Sequence, residues 1–246
     1  MSKRTSLSLK TFVSVTFLLL VLAAILAACG SSSGTATASS SSSTSSSSTT
    51  TQPSGPGGGG GSNARSGPAS GGASGTVSNV STSGFTLTTS GGQKVTVDEA
   101  SSTTYQNGTI SISASAITNG ESVLVLGTVN TTNGTTIAAT QVIVQPTGSD
   151  GSAASSAAGV IPFQPGTPST SKQVGQIPAN YSQGSGTIVS GTTANKATEA
   201  ALAAYPGGVV DRVVQLSNGE YEVHNIGVNW PHHIFVNQNF KVVGAD

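Results

Sequence analysis

A chain of 246 residues with 7% charged and 4% aromatic side chains, 32 glycines and 10 prolines cannot bury a core along its whole length. Ordering a residue costs about 1–2 kcal/mol of backbone entropy, and long stretches lack the large apolar groups that would offset it. Nine Lys and Arg balance nine Asp and Glu, so no broad basic field exists and nucleic acid is not an expected partner; the single cysteine excludes an internal disulfide and multi-cysteine metal sites.

Lys3, Arg4 and Lys10 precede an apolar run from Thr11 to Ala28 that ends in small residues. Basic start, apolar centre and small-residue end are the order of an export signal, so residues 1–28 are read as a signal peptide. The junction Leu26-Ala27-Ala28-Cys29-Gly30 resembles the bacterial lipobox. The resemblance implies a diacylglyceryl group on the Cys29 sulfur and cleavage just before it, leaving the protein lipid-anchored on the extracytoplasmic face of the bacterial cell membrane. Each buried CH₂ contributes about 0.8 kcal/mol, and two acyl chains hold stably where one does not. The alternative is an uncleaved spanning anchor, for which the apolar run is near the lower length limit.

Residues 29–74 are rich in Ser, Thr and Gly, including Ser39 to Ser43 and Gly57 to Gly61, and are expected to form a disordered stalk. Residues 75–146 change to period-two alternation. Val77, Phe85, Leu87, Val95 and Val97 alternate with polar residues around Ser90-Gly91-Gly92, which predicts a β-hairpin. Ile110, Ile112 and Ile117 precede a turn at Asn119-Gly120 and the continuous run Val123-Leu124-Val125-Leu126. Asn133-Gly134 marks another hairpin before Ile137 and Val142-Ile143-Val144. Strands this short and this numerous are most economically covered by closure into a small barrel. The segments Gly75-Thr76-Val77, Phe85-Thr86-Leu87-Thr88, Gly92 to Val97 and Asn119-Gly120-Glu121 resemble an envelope domain of unknown function. That resemblance implies an OB-like barrel without established catalytic residues. Phe85 is expected in the barrel core and Tyr105 as a partly exposed cap.

Residues 147–194, broken by Pro162, Pro165, Pro168 and Pro178, read as a second disordered linker with one short extended piece at Gly186 to Val189. Residues 195–246 read as a small α+β domain. Asn195 caps a helix over Lys196 to Tyr205, ended by Pro206-Gly207-Gly208. Strands are predicted at Val209 to Leu216, Tyr221 to Val228, Ile234 to Val236 and Lys241 to Val243, with turns at Ser217-Asn218-Gly219 and Asn229-Trp230-Pro231. The fold class is therefore mainly β, an OB-like barrel plus one helix on an antiparallel sheet. Residues 197–244 resemble the PepSY family through Ala200-Ala201-Leu202, Pro206-Gly207-Gly208, Val209 to Val213, Gly219 to Val223 and Phe235 to Gly244. In that family Asp is more usual than Asn at position 237. The resemblance implies contacts with envelope proteins or peptidases.

With Asn229-Trp230 as turn centre, His224 and His233 lie diagonally on one face of a hairpin, and Glu222 shares it. Two imidazoles and a carboxylate could ligate zinc, although a one-residue slip of register would separate them. Ordinary strand residues are the plainer reading, and no cofactor is expected. The chain has no Gly-x-Ser-x-Gly elbow, and Ser169-Thr170-Ser171-Lys172 lies in the proline-broken segment without partner motifs. The expectation is a non-enzymatic binding or regulatory module, with a metal-binding or metal-sensing surface protein built on Glu222, His224 and His233 as the alternative.

Overall fold

The computed structural model describes residues 67–246 apart from 133–134, 150 and 167–171. The signal peptide, Cys29, most of the stalk and the Asn133-Gly134 turn lie outside the described residues. Among the described residues no helix is long and apolar enough to cross a membrane.

The chain is mainly β, with a closed five-stranded barrel. Its strands are β1 (Ala69–Ser78), β2 (Gly84–Thr88), β3 (Lys94–Asp98), β6 (Ser122–Asn130) and β7 (Thr136–Val144). The short β4 (Thr104–Asn107) and β5 (Ile110–Ser111) intervene in the chain. Antiparallel pairs β1–β2, β2–β3, β7–β6 and β6–β1, with the parallel pair β3–β7, close the ring in OB-like order. Inward residues at period two fill it: Val77, Phe85, Leu87, Val95, Val97, Val123, Val125 and Ile137. Phe85 is in the core as expected, and Tyr105 on β4 packs half-buried against it. Burial and the neighbouring Glu99 carboxylate push the Tyr105 hydroxyl pKa up to about 12.

The barrel begins earlier than its composition suggests. Ala69 to Ser74 read as stalk, yet they pair with β6 from Ala69↔Val129 onward. These residues can be a strand because they are small: a Cβ on Gly71 would run into the Val210 carbonyl, and one on Gly75 into that of Thr88. Close approach of backbones is what strand glycines permit.

After the barrel come α1 (Ser152–Ala158), β8 (Ile161–Pro162), β9 (Val174–Gly175) and β10 (Thr187–Ile188). They are followed by α2 (Gly191–Ala204), β11 (Val209–Gln215), β12 (Tyr221–Ile226), β13 (Val228–Trp230), β14 (His233–Val236) and β15 (Val242–Ala245). The second half is an antiparallel sheet, β10-β11-β12-β14-β15-β9, with α2 on one face. Ala194, Ala197, Ala201 and Leu202 make the helix's apolar stripe at helical spacing, against Val210, Val213, Val223, Ile234 and Val236. The helix starts at Gly191, before the expected Asn195 cap, because Ala194 already belongs to this buried stripe.

Two features join the halves. One edge of β1 pairs first with β11, at Gly72↔Val210 and Ala73↔Val209, and then with β2 from Thr76↔Thr88. Strand β6 is buried on both sides: Val123 and Val125 point into the barrel, while Leu124 and Leu126 pack beneath α2. This double burial explains the continuous apolar run in that strand.

The linker reading of residues 147–194 is corrected for the described part. One helix covers only one face of the C-terminal sheet, and residues 172–190 cover the other face and its edges. β9 extends β15, β10 extends β11, and the Tyr181 ring meets Phe235 edge-on at 4.8 Å. Buried Ser155 of α1 donates to the Pro206 carbonyl at 2.6 Å and contacts the Ser90 hydroxyl at 2.8 Å, tying the end of α2 to a barrel hairpin. Asn229-Trp230 is also not a turn, since β13 pairs with β8 at Trp230↔Ile161. The partner strand comes from a segment whose composition looks featureless.

Candidate functional site

Alternation along β12 and β14 sends Tyr221, Val223, Ile234 and Val236 toward α2, and therefore sends Glu222, His224, His233 and Phe235 to the opposite face. The expected sharing of a face by Glu222, His224 and His233 is present. The register differs from the expected one: His224 stands directly opposite His233, not diagonal to it, because the connection is the longer β13 excursion.

Two of the three side chains, Glu222 and His233, are hydrogen-bonded to each other, and His224 bonds elsewhere. His233 Nδ1 donates to Glu222 Oε1 at 2.7 Å, and the Tyr181 hydroxyl donates to the same oxygen at 3.3 Å. Burial pushes the Glu222 carboxyl upward, but the hydrogen bond and charge of His233, with His224 and Arg212, together hold it below the ordinary carboxylate value. Tyr181 is raised above its ordinary value, first by burial and then by the charge of Glu222.

His224 Nδ1 donates to Asp211 Oδ1 at 2.5 Å. Asp211 reaches it because the β11–β12 register shifts between Val210 and Arg212, so Asp211 is a bulge residue turned toward the imidazole. Arg212 lies at 3.3 Å from the other Asp211 oxygen. With Nδ1 committed to a carboxylate, His224 turns Nε2 toward His232 Nε2 at 2.9 Å, where one nitrogen donates and the other accepts. Burial, then the charges of His224 and His233, lower His232 from 6.5 to about 4. The three imidazole rings form a triangle with centroid separations of 4.4, 4.9 and 5.3 Å.

These pairings engage His233 Nδ1, Glu222 Oε1, both ring nitrogens of His224 and His232 Nε2. Among the described residues no group of three or more His, Cys, Asp or Glu is arranged to hold a metal ion. Glu222 and His233 thus face each other as one pair, and His224 pairs separately with Asp211.

Sequence reasoning missed Asp211, Tyr181 and His232. Their only signal was charge scarcity: the chain's three histidines gather with Asp211 and Glu222, although 7% of residues are charged. The cluster opens on a cleft of about 600 Å³ lined by His232, His233, Trp230, Asn229, Lys172 and Phe163. Trp230 is 3% exposed; its indole N–H donates to the Lys172 carbonyl at 3.2 Å, and the Lys172 ammonium lies 5.1 Å from its ring centre. Phe163, 59% exposed, forms an apolar rim. A cavity of about 440 Å³ beside α1 and α2, lined by Leu124, Leu202 and Pro206, has Glu199 as its one ionisable side chain among the described residues. The histidine cleft has the richer chemistry and is the better candidate.

In comparisons with known proteins, no family model, no curated protein and no solved structure matches the chain.

Proposed function

We propose that this protein is a non-enzymatic binding or regulatory module of the bacterial envelope, held at the extracytoplasmic membrane surface by acylated Cys29, that contacts envelope proteins through its histidine cleft. The observation that carries the reading is the concentration of scarce groups: His232, His233 and the only tryptophan of the chain line one cleft, with the third histidine, His224, buried against His232. Burying imidazoles and carboxylates costs desolvation that a purely structural sheet face avoids with apolar residues. The exposed Phe163 beside this cleft adds the apolar contact area that protein partners use. Support for the anchor is the order Lys3-Arg4, apolar run, Leu26-Ala27-Ala28-Cys29. One helix followed by antiparallel strands is compatible with the PepSY-like reading, which makes envelope peptidases the first partners to test.

Two measurements test this. A photo-crosslinking residue at Asn229 on the cleft should give a discrete adduct with an envelope protein in intact membranes, whereas one at exposed Ser101 on the barrel should not. Equal adducts at both positions, or none at Asn229, would refute the cleft as contact site. Labelled palmitate should enter the wild-type chain and not a Cys29→Ser variant; an unlabelled wild type retaining its leader would refute the anchor.

A further inference from the structure

The contact between His224 and His232 has room for a single proton. Their Nε2 atoms face each other at 2.9 Å, a distance that requires one nitrogen to donate and the other to accept. His224 is fixed on the central strand β12, with Nδ1 tied to Asp211. His232 sits in the connection between β13 and β14, half-buried, with one side toward the cleft. Its backbone is pinned: its N–H donates to the Asp246 carbonyl at 2.7 Å, and its carbonyl accepts from Asn225 N–H at 2.8 Å. Only the ring is free to respond.

We propose that this contact is a proton-operated latch on the cleft: while the two rings carry no more than one positive charge between them, a single Nε2 proton holds the His232 ring inward, and the further proton that makes both rings cations drives it out to line the cleft. With both imidazoles doubly protonated, two N–H groups would point at each other between two positive charges, and the contact breaks. The groups around the pair favour that direction. Asp211 and Arg212 on β11 form an ion pair that leaves Asp211 one oxygen for His224. On β12, Glu222 is committed to His233 of β14, and Tyr181 closes over both. Asp246, beyond β15, and Lys172 line the cleft into which the ring turns. Thus Asp211 neutralises one charge on the pair, and a second finds its compensation only in the cleft and solvent. The depressed proton affinity of His232 agrees with this geometry.

The latch rests on the reading of the cleft as a contact site, whose partner affinity it would change with pH. It is tested without any partner, so its failure leaves the crosslinking result standing. The probe is the proton alone, applied to the full chain in detergent micelles. Imidazole ¹⁵N resonances of the three histidines and the indole N–H resonance of Trp230, two residues before His232, are followed from pH 8 to pH 4. The expected result is loss of the shared Nε2 proton signal between pH 6.5 and about 4, with a Trp230 shift at the same midpoint and unchanged far-ultraviolet circular dichroism. The Trp230 shift should vanish in His232→Gln, which can still donate to His224 but cannot titrate. A shared-proton signal that persists at low pH, a Trp230 shift retained in folded His232→Gln, or coincident loss of secondary structure would each overturn the latch. If the variant does not fold, the wild-type imidazole signals decide alone.

Discussion

Glu222 Oε1 and His233 Nδ1 lie 2.7 Å apart, with the side chains 3% and 11% exposed, between two adjacent strands of the C-terminal sheet. A carboxylate so enclosed has no water to fall back on, which sets what its removal does. Glu222→Gln is expected to destabilise the protein at pH 7 by about 1–3 kcal/mol, the usual cost of leaving a buried partner poorly paired. Because the folded-state affinity of Glu222 for protons is lowered, its stabilisation is present above its ordinary value of 4.5 and is lost as pH falls below it. The wild-type and variant urea midpoints should therefore converge in acid. A gap that widened there would contradict the pairing.

His232 has the opposite relation to acid stability from a paired histidine. Its proton affinity is reduced from 6.5 to about 4 in the folded chain, so the unfolded chain binds the extra proton first. Stability is expected to fall as pH drops from 6.5 and to level off below about 4, by up to about 3 kcal/mol for this group. His232→Gln should flatten that slope in urea titrations. An identical slope in the variant would place the acid sensitivity elsewhere.

Gly71 distinguishes a strand from a stalk. A methyl group there meets the Val210 carbonyl, so Gly71→Ala is expected to cost about 1–3 kcal/mol in thermal or denaturant melts, the range for overpacking. Gly67 has open space around it and serves as the control, although its positive φ leaves some strain there. Equal, negligible effects at both positions would mean that β1 does not extend to its glycines.

Leu126 tests whether the halves fold together. It lies on the outside of the barrel but inside the core under α2, and β1 pairs with strands of both halves. Leu126→Ala should destabilise by about 2–5 kcal/mol, and barrel and sheet probes should move in one transition. Two separated transitions in the wild type would refute the shared core.

The parts of the fold legible in the sequence were those with a local cause. Period-two alternation around Ser90-Gly91-Gly92 located the β2–β3 hairpin, and the spacing of Ala197, Ala201 and Leu202 located α2. The common face of Glu222, His224 and His233 followed from alternation too. What could not be read depends on partners distant in the chain. Ala69 to Ser74 and residues 172–190 carry no periodicity, and they are ordered because an edge or face elsewhere lacks a cover. Asp211 joins His224 only through a bulge, and His232 only through the path from β13 to β14.

Taken alone, the order of amino acids determined the mainly β class, the positions of the hairpins and the helix, and which residues alternate to which side, because each is set by backbone geometry within a few residues. Tertiary structure decided that the halves share β1 and β6, that Tyr181 of residues 172–190 is laid on Glu222 and His233, and that three histidines meet two carboxylates. Those outcomes are energies of long-range contact: small residues permit close approach, and exposed strand edges and buried charges take partners wherever the chain returns to them.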